Sequence, residues 1–187
     1  MTQVFKNFKK ARIEEERIYD ECHRKLYYTS LRILNNTMEA EEVMHDTLLK
    51  YFSREEFSSS KERDCWLTRV CINLSIDRLR KRKVDESLIN SEELKHNFIN
   101  EESNEEYSFN GVTVSQVKEA LLCLADGYRM ILSLVLFEGY DYKEVAQITG
   151  LKEVSVRTQF VRGRARIIEE LERNRRNYKR EMDNGQF

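Results

Sequence analysis

The sequence predicts an all-α fold: two small helical domains joined by an acidic flexible linker, with a helix-turn-helix in the second. Three observations lead there. The 187 residues include no proline and six glycines, so the residues that interrupt helices are nearly missing. Apolar residues recur at i, i+3, i+4 and i+7 through most of the chain, the spacing of one helix face. Charged residues make up 35% and nearly cancel, 33 acids against 32 bases, but the signs segregate along the chain and so mark its boundaries. The longest apolar run, Met130 to Phe137, is far too short to span a bilayer, and no signal-peptide pattern opens the chain. A cytosolic protein without membrane insertion is expected. Cys22, Cys65, Cys71 and Cys123 form no CxxC pair and read as reduced, mostly buried thiols.

Residues 1–13 form a basic arm, with Lys6, Lys9, Lys10 and Arg12 and little apolar order. A first domain is predicted over 14–84. Its first helix puts Ile18, Tyr19, Cys22, Leu26, Leu31 and Leu34 at helical spacings, and Asn35-Asn36 ends it. Thr37 is a suitable N-cap for a second helix, 38–52, with Glu39 to Glu42 in the first turn and Val43, Leu48 and Phe52 inward. A polar loop, 53–61, leads to a third helix read over Trp66 to Lys83. Leu67, Val70, Cys71 and Leu74 make its apolar face, and a stripe of Arg69, Asn73, Asp77 and Arg80 faces outward. Residues 84–110 hold eight acids and one lysine without a steady apolar period, the composition of an unstructured linker; its span is 85–111.

A second domain follows over 112–172. Helix 112–124 carries Val114, Val117, Leu121 and Leu124 on one side, Ala125-Asp126-Gly127 is a turn, and the strongly apolar helix 128–137 is buried and ends at Glu138-Gly139. Helix 142–149 turns Val145, Ala146 and Ile148 inward. Gly150 permits a left-handed turn into a last helix running from about residue 153 to Leu171. The tail, 173–187, carries no readable role.

Two stretches have nucleic-acid chemistry. In the third helix, Asn73 and Asp77 can hydrogen-bond base edges beside the phosphate-seeking run Arg80-Lys81-Arg82-Lys83; Trp66 at its head either packs in the core or offers a stacking face. The bland reading is a solvated basic helix end that complements the helix dipole. The segment from Asp141 to Ile167 meets the needs of a helix-turn-helix: small Ala146 at the crossing, Gly150 in the turn, Leu151 as plug, and Val156, Phe160 and Ile167 holding the last helix down. Arg157, Thr158, Gln159 and Arg162 remain outward, with Arg164 and Arg166 behind. Arg pairs with guanine and Gln with adenine in the major groove. An ordinary helical hairpin with a basic face is the alternative.

The motif W-L-x-R-x-x-x-N-x-x-x-D-x-x-R-[RK], carried here by Trp66, Leu67, Arg69, Asn73, Asp77, Arg80 and Lys81, resembles the promoter-melting helix of the extracytoplasmic-function (ECF) sigma factors of the sigma-70 family. Ala40 to Phe52 is similar to the family's helix that grips the clamp coiled coil of RNA polymerase, with His45 and Leu48 where the family usually has Gln and Phe. Residues 124–129 stand where the family has L-P-x-x-Y-R, without the Pro. Lys152 stands where the recognition helix often has a Ser or Thr cap, a loss of about 1 kcal/mol unless Lys152 serves a phosphate. The resemblance covers roughly residues 14–172, both domains in order.

It implies an initiation factor that binds and does not catalyse. Region-2-like residues 14–84 would hold core polymerase through Glu41, Glu42 and Asp46. The same region would hold the unpaired −10 strand, with Asn73 and Asp77 nearest the bases and Arg80, Lys81, Arg82 and Lys83 on phosphates. A loop residue between Ser58 and Asp64 would capture a flipped base. Region-4-like residues 112–172 would read the −35 element with Lys152, Arg157, Thr158, Gln159, Arg162 and Arg164, and the linker would thread near the polymerase active site. The implied partners are bacterial core RNA polymerase, promoter DNA and, as in many relatives, an anti-sigma factor. No cofactor or metal is expected. The alternatives are a stand-alone helix-turn-helix regulator and, remotely, a di-iron helical-bundle enzyme built on Glu42-x-x-His45 and Glu93-x-x-His96. Such pairs arise by chance in a Glu-rich chain.

Overall fold

The computed structural model describes residues 2–53, 57–86, 108–109 and 112–183. The chain divides into two compact units, Met1–Glu93 and Leu94–Phe187. In the first, α1 (Thr2–Leu34), α2 (Thr37–Phe52) and α3 (Ser60–Glu86) all pack on one another. Their meeting faces bury Ile18, Cys22, Leu26, Ile33 and Leu34 from α1, Val43, Met44 and Leu48 from α2, and Leu67, Ile72, Ile76 and Leu79 from α3. Some polar groups inside this core are paired: Ser75 Oγ donates to Cys71 O at 2.8 Å and lies 3.0 Å from Ser30 Oγ, and Cys71 Sγ donates to Leu26 O at 3.3 Å.

Four expectations for this unit are corrected. The basic arm is not set apart from the first helix, because α1 already begins at Thr2; Lys and Ala are good helix formers and nothing there breaks the run. The cap of α2 is Asn36, whose side chain accepts from Glu39 N at 3.1 Å, and not Thr37. Asn35 before it takes a left-handed φ of 53°, a conformation that asparagine tolerates at a helix end. Helix α3 starts six residues earlier than the Trp66 pattern suggests and runs to Glu86. At its head Ser59 Oγ accepts from Glu62 N while Glu62 accepts from Ser58 N. The buried face of α3 is also rotated from the expected one: Thr68, Ile72, Ser75, Ile76 and Leu79 are inside with Leu67 and Cys71, whereas Val70 and Leu74 are half-buried.

The second unit opens with a short antiparallel pair, β1 (Ser108–Phe109) and β2 (Val112–Thr113), in register Ser108 with Thr113 and Phe109 with Val112. Apart from this strand and the last turn of α3, the acidic linker 85–111 lies outside the described residues. Four helices follow: α4 (Val114–Leu122), α5 (Asp126–Leu136), α6 (Tyr142–Thr149) and α7 (Glu153–Asp183). Thr113 caps α4 in a capping box with Gln116, and Asp141 caps α6 likewise with Glu144. Ala120, Leu121, Leu124, Leu132 and Ile167 form a core against which Tyr128, Phe137, Phe160 and Leu171 pack. Val114, expected inside, is exposed at the head of α4, and Asp126-Gly127 belong to the first turn of α5 rather than to a turn before it.

Gly150 closes α6 with φ 72°, as the turn requires. Gly163 has a different purpose. A Cβ there would sit 2.8 Å from Leu132 Cδ1 and 3.2 Å from Tyr128 Cβ, so the glycine lets α7 lie close on α5. Helix α7 continues to Asp183, so most of the expected tail is helical. Of the cysteines, Cys22 and Cys71 are buried, while Cys65 and Cys123 are exposed, against the expectation of mostly buried thiols. Among the described residues no helix is long and apolar enough to cross a membrane.

Candidate polymerase and nucleic-acid interfaces

Helix α2 buries Ala40, Val43, Met44, Thr47 and Leu48, which leaves Glu41, Glu42, His45 and Asp46 on its outer side. Glu42 and Asp46 both accept from the Arg78 guanidinium of α3, Asp46 at 3.4 Å. Burial alone would lower the Arg78 pKa; the hydrogen bond and charge of Glu42, then those of Asp46, outweigh it and raise the pKa. The cation is therefore permanent, and it fixes two carboxylates that remain about half exposed. Glu41 lies 3.9 Å from His45, and His45 stacks toward Tyr19 at 6.3 Å. Beside the acids stand Met38 and Leu49, 70% and 63% exposed. Sequence reasoning passed over both, although their spacing from Glu42 and His45 puts them on one ridge. An acidic ridge with apolar ends suits a basic, partly apolar protein surface.

On α3 the expected stripe divides. Asn73, Asp77, Arg80, Lys81 and Lys83 are exposed, and Arg80 pairs with Asp77 at 3.0 Å. Arg69 is half-buried. Arg82 is turned inward: its Nη1 and Nη2 donate to Leu34 O at 3.3 and 3.4 Å, and Nη2 also pairs with Glu39. It thus ties the C-terminal end of α1 and the first turn of α2 to α3. A charge run in sequence does not reveal which cation points back at a helix end.

Trp66 is half-buried, in a ring cluster with Phe57 at 5.5 Å and Tyr51 at 6.4 Å; Tyr51 and Phe57 stack at 5.7 Å. Within the stretch from Ser58 to Asp64, Arg63 is buried against Glu21 at 3.0 Å and Asp64 at 2.8 Å. These two residues anchor the head of α3 to α1, and Ser58 to Glu62 are left exposed.

In the second unit, Val156, Gly163 and Ile167 of α7 are buried, and its other side carries the expected readers. Lys152, Arg157, Thr158, Arg162 and Arg164 are exposed. Arg157 pairs with Glu153 at 3.2 Å and lies 5.2 Å over the Tyr142 ring, so it is pre-set by cation–π contact. Arg166 lies similarly over Tyr128, at 5.1 Å. Gln159 is half-buried with its Oε1 toward Gly127, off the outermost line of the helix. Arg129, 3% exposed, donates to Leu124 O at 2.7 Å and to Asp126 Oδ1. The stretch of residues 124–129 therefore closes on itself and holds the α4–α5 connection.

Among the described residues the di-iron alternative finds no site. Glu42 is committed to Arg78, Glu93 and His96 lie outside the described residues, and among the described residues no three His, Cys, Asp or Glu side chains gather as a metal site.

Two family models match the chain. The family model described as Sigma-70 region 2 matches residues 18–84, and that described as Sigma-70, region 4 matches residues 115–167; together they cover more than half of the chain. The ECF RNA polymerase sigma factor SigW of Bacillus subtilis (strain 168) is 26% identical over 155 residues, 79% of this chain and 83% of that protein. The ECF RNA polymerase sigma factor SigE of Mycolicibacterium smegmatis is 25% identical over 147 residues, 76% of this chain and 56% of that protein. The solved structure of the sigma factor RpoE from Bartonella quintana, in complex with the anti-sigma factor NepR, shares the fold, with TM-score 0.55 at 21% identity over 84% of this chain and 96% of that one. A stand-alone regulator would have no need of the region matched at 18–84. The chain belongs to the sigma-70 family and is an RNA polymerase sigma factor of the ECF type.

Proposed function

We propose a division of labour between residues 14–84 and 112–172 of this sigma factor. Helix α2 docks on core polymerase through Glu41, Glu42 and Asp46, with Met38 and Leu49 as apolar contacts. Helix α3 holds the unpaired −10 strand, Asn73 and Asp77 at the bases and Arg80, Lys81 and Lys83 on phosphates, while Arg82 keeps the helix in place. The exposed residues Ser58 to Glu62, beside the rings of Tyr51, Phe57 and Trp66, receive the flipped base. Helix α7 enters the major groove at the −35 element, with Lys152, Arg157, Thr158, Arg162 and Arg164 on DNA. The protein acts in the cytoplasm by binding and positioning; polymerase performs the chemistry. An anti-sigma factor is a proposed partner, as RpoE has in its complex.

The observation that supports this reading most is the placement of the two expected sets. The acids of α2 and the polar residues of α3 are exposed on different helices of one packed unit, with Arg78 between them. The test is reconstitution with purified core polymerase on genomic DNA fragments. Transcripts starting at discrete promoters, lost in Asn73→Ala/Asp77→Ala, support the assignment; promoter-specific transcripts unaffected by that pair would remove α3 from the −10 role.

A further inference from the structure

The outermost line of α7 is not basic. Val154, Thr158, Val161, Ala165 and Ile168 are spaced by four, three, four and three residues, one ridge of a helix, and all are exposed. Val154 is 76%, Val161 62% and Ile168 46% exposed. They lie opposite the buried line of Val156, Gly163 and Ile167. Arginines flank the ridge on both sides, Arg157 and Arg164 along one and Arg162 and Arg166 along the other. Solvent-facing valines add nothing to helix stability, since their branched side chains are poorer helix formers than Lys or Ala. Thr158 donates its hydroxyl hydrogen to Val154 O at 2.8 Å, so it offers a partner a methyl group and an acceptor but no donor.

A narrow apolar ridge between two rows of arginine matches the major groove, where phosphates border both sides and the thymine 5-methyl is the apolar group on the floor. Val, Thr and Ala are small enough to let the helix approach that floor closely. We infer that Val154, Thr158 and Val161 select thymine in the −35 element by packing on its 5-methyl group, while the flanking arginines set register on the phosphates. Hydrogen-bonding readout by Gln159 is correspondingly secondary. This rests on the assignment of α7 to the −35 element.

The test uses holoenzyme assembled from the full chain and core polymerase, and −35 sequences recovered from duplexes randomised at that element. Each thymine is replaced singly by deoxyuridine, which removes the methyl and keeps the base-pairing edge. One buried methyl corresponds to about a fourfold change in affinity. The expected result is a loss of that size at one or more thymines, with the sensitivity abolished in Val161→Ala or Val154→Ala. Both positions are exposed and Ala is the better helix former, so these variants retain the fold. Tolerance of deoxyuridine at every thymine, with binding still dependent on the −35 sequence, overturns the inference alone. Sensitivity that persists in both Ala variants overturns it too, and would leave the ridge to a protein partner. Binding with no −35 dependence at all would overturn the assignment of α7 and the inference together.

Discussion

Replacing Arg82 by Ala separates a structural cation from those proposed to bind DNA in the same run. The guanidinium donates twice to Leu34 O, at 3.3 and 3.4 Å, and pairs with Glu39, and both side chains are less than a third exposed. The carbonyl contacts are long and the ion pair is partly solvated, so the joint loss is about 2 kcal/mol, below the sum for two fully buried charged bonds. In a unit of this size that lowers the melting temperature by about 10 °C. Lys81→Ala and Lys83→Ala, at exposed positions, change stability by less than about 0.5 kcal/mol. Each instead lowers the salt dependence of promoter binding, by about 0.7 in the log–log slope for a single-strand phosphate contact. Thermal unfolding of the full chain followed by circular dichroism, with salt titrations of holoenzyme on open promoter DNA, reads both quantities. An Arg82→Ala protein that melts with the wild type and loses salt dependence as Lys81→Ala does would put Arg82 on DNA and leave the junction of α1, α2 and α3 without its tie.

Three further outcomes follow from the packing. Gly163→Ala places a methyl against Leu132 and Tyr128; about 2 kcal/mol of overpacking, offset by about 1 kcal/mol of helix propensity, leaves the second unit about 1 kcal/mol less stable in urea unfolding, and a more stable variant would contradict the close approach. Arg129→Met removes a buried guanidinium from Leu124 O and Asp126 and lowers stability by about 3 kcal/mol; a change under about 1 kcal/mol would show that the α4–α5 connection holds without it. Burial, then the nearby carboxylates, push the Cys22 thiol above its ordinary 9.0 although Arg63 opposes them. The folded state thus keeps a proton that the unfolded chain loses, so this contribution is intact below about pH 9 and fades as pH rises beyond it. In the native protein at neutral pH, a thiol reagent should modify exposed Cys65 and Cys123 quickly and buried Cys22 and Cys71 slowly; rapid modification of all four would contradict the packing of α1 on α3.

The second unit was the more legible in sequence. Gly150, Val156 and Ile167 behave as the helix-turn-helix pattern requires, because turn chemistry and helical period agree there. The Asn110-Gly111 dipeptide between β1 and β2 is a hairpin signal that sequence reasoning passed over within an acidic stretch. In the first unit, hydropathy misplaced the inner face of α3, since Ser75 and Thr68 are buried while Val70 and Leu74 are partly exposed. A serine can go inside when its hydroxyl finds Ser30 and Cys71 O, and Ser30 lies 45 residues away in the chain. The site residues show the same limit. Residue type alone placed Arg82 and Lys81 together, and only the position of Leu34 and Glu39 distinguishes them. Conversely, residue type does not separate Met38, Leu49, Val154 and Val161 from core residues, and only their exposure sets them apart.

The most direct measurement is the affinity of bacterial core RNA polymerase for the full chain, wild type against Glu41→Arg and Asp46→Arg. Glu41 takes no part in the Arg78 pairs, so its reversal alters the outer face without disturbing the junction of α2 with α3. Tight binding by the wild type is expected, weakened at least about tenfold by either reversal. Failure of the wild type to bind, or reversals that bind as well as it does, would contradict the placement of the polymerase contact on α2.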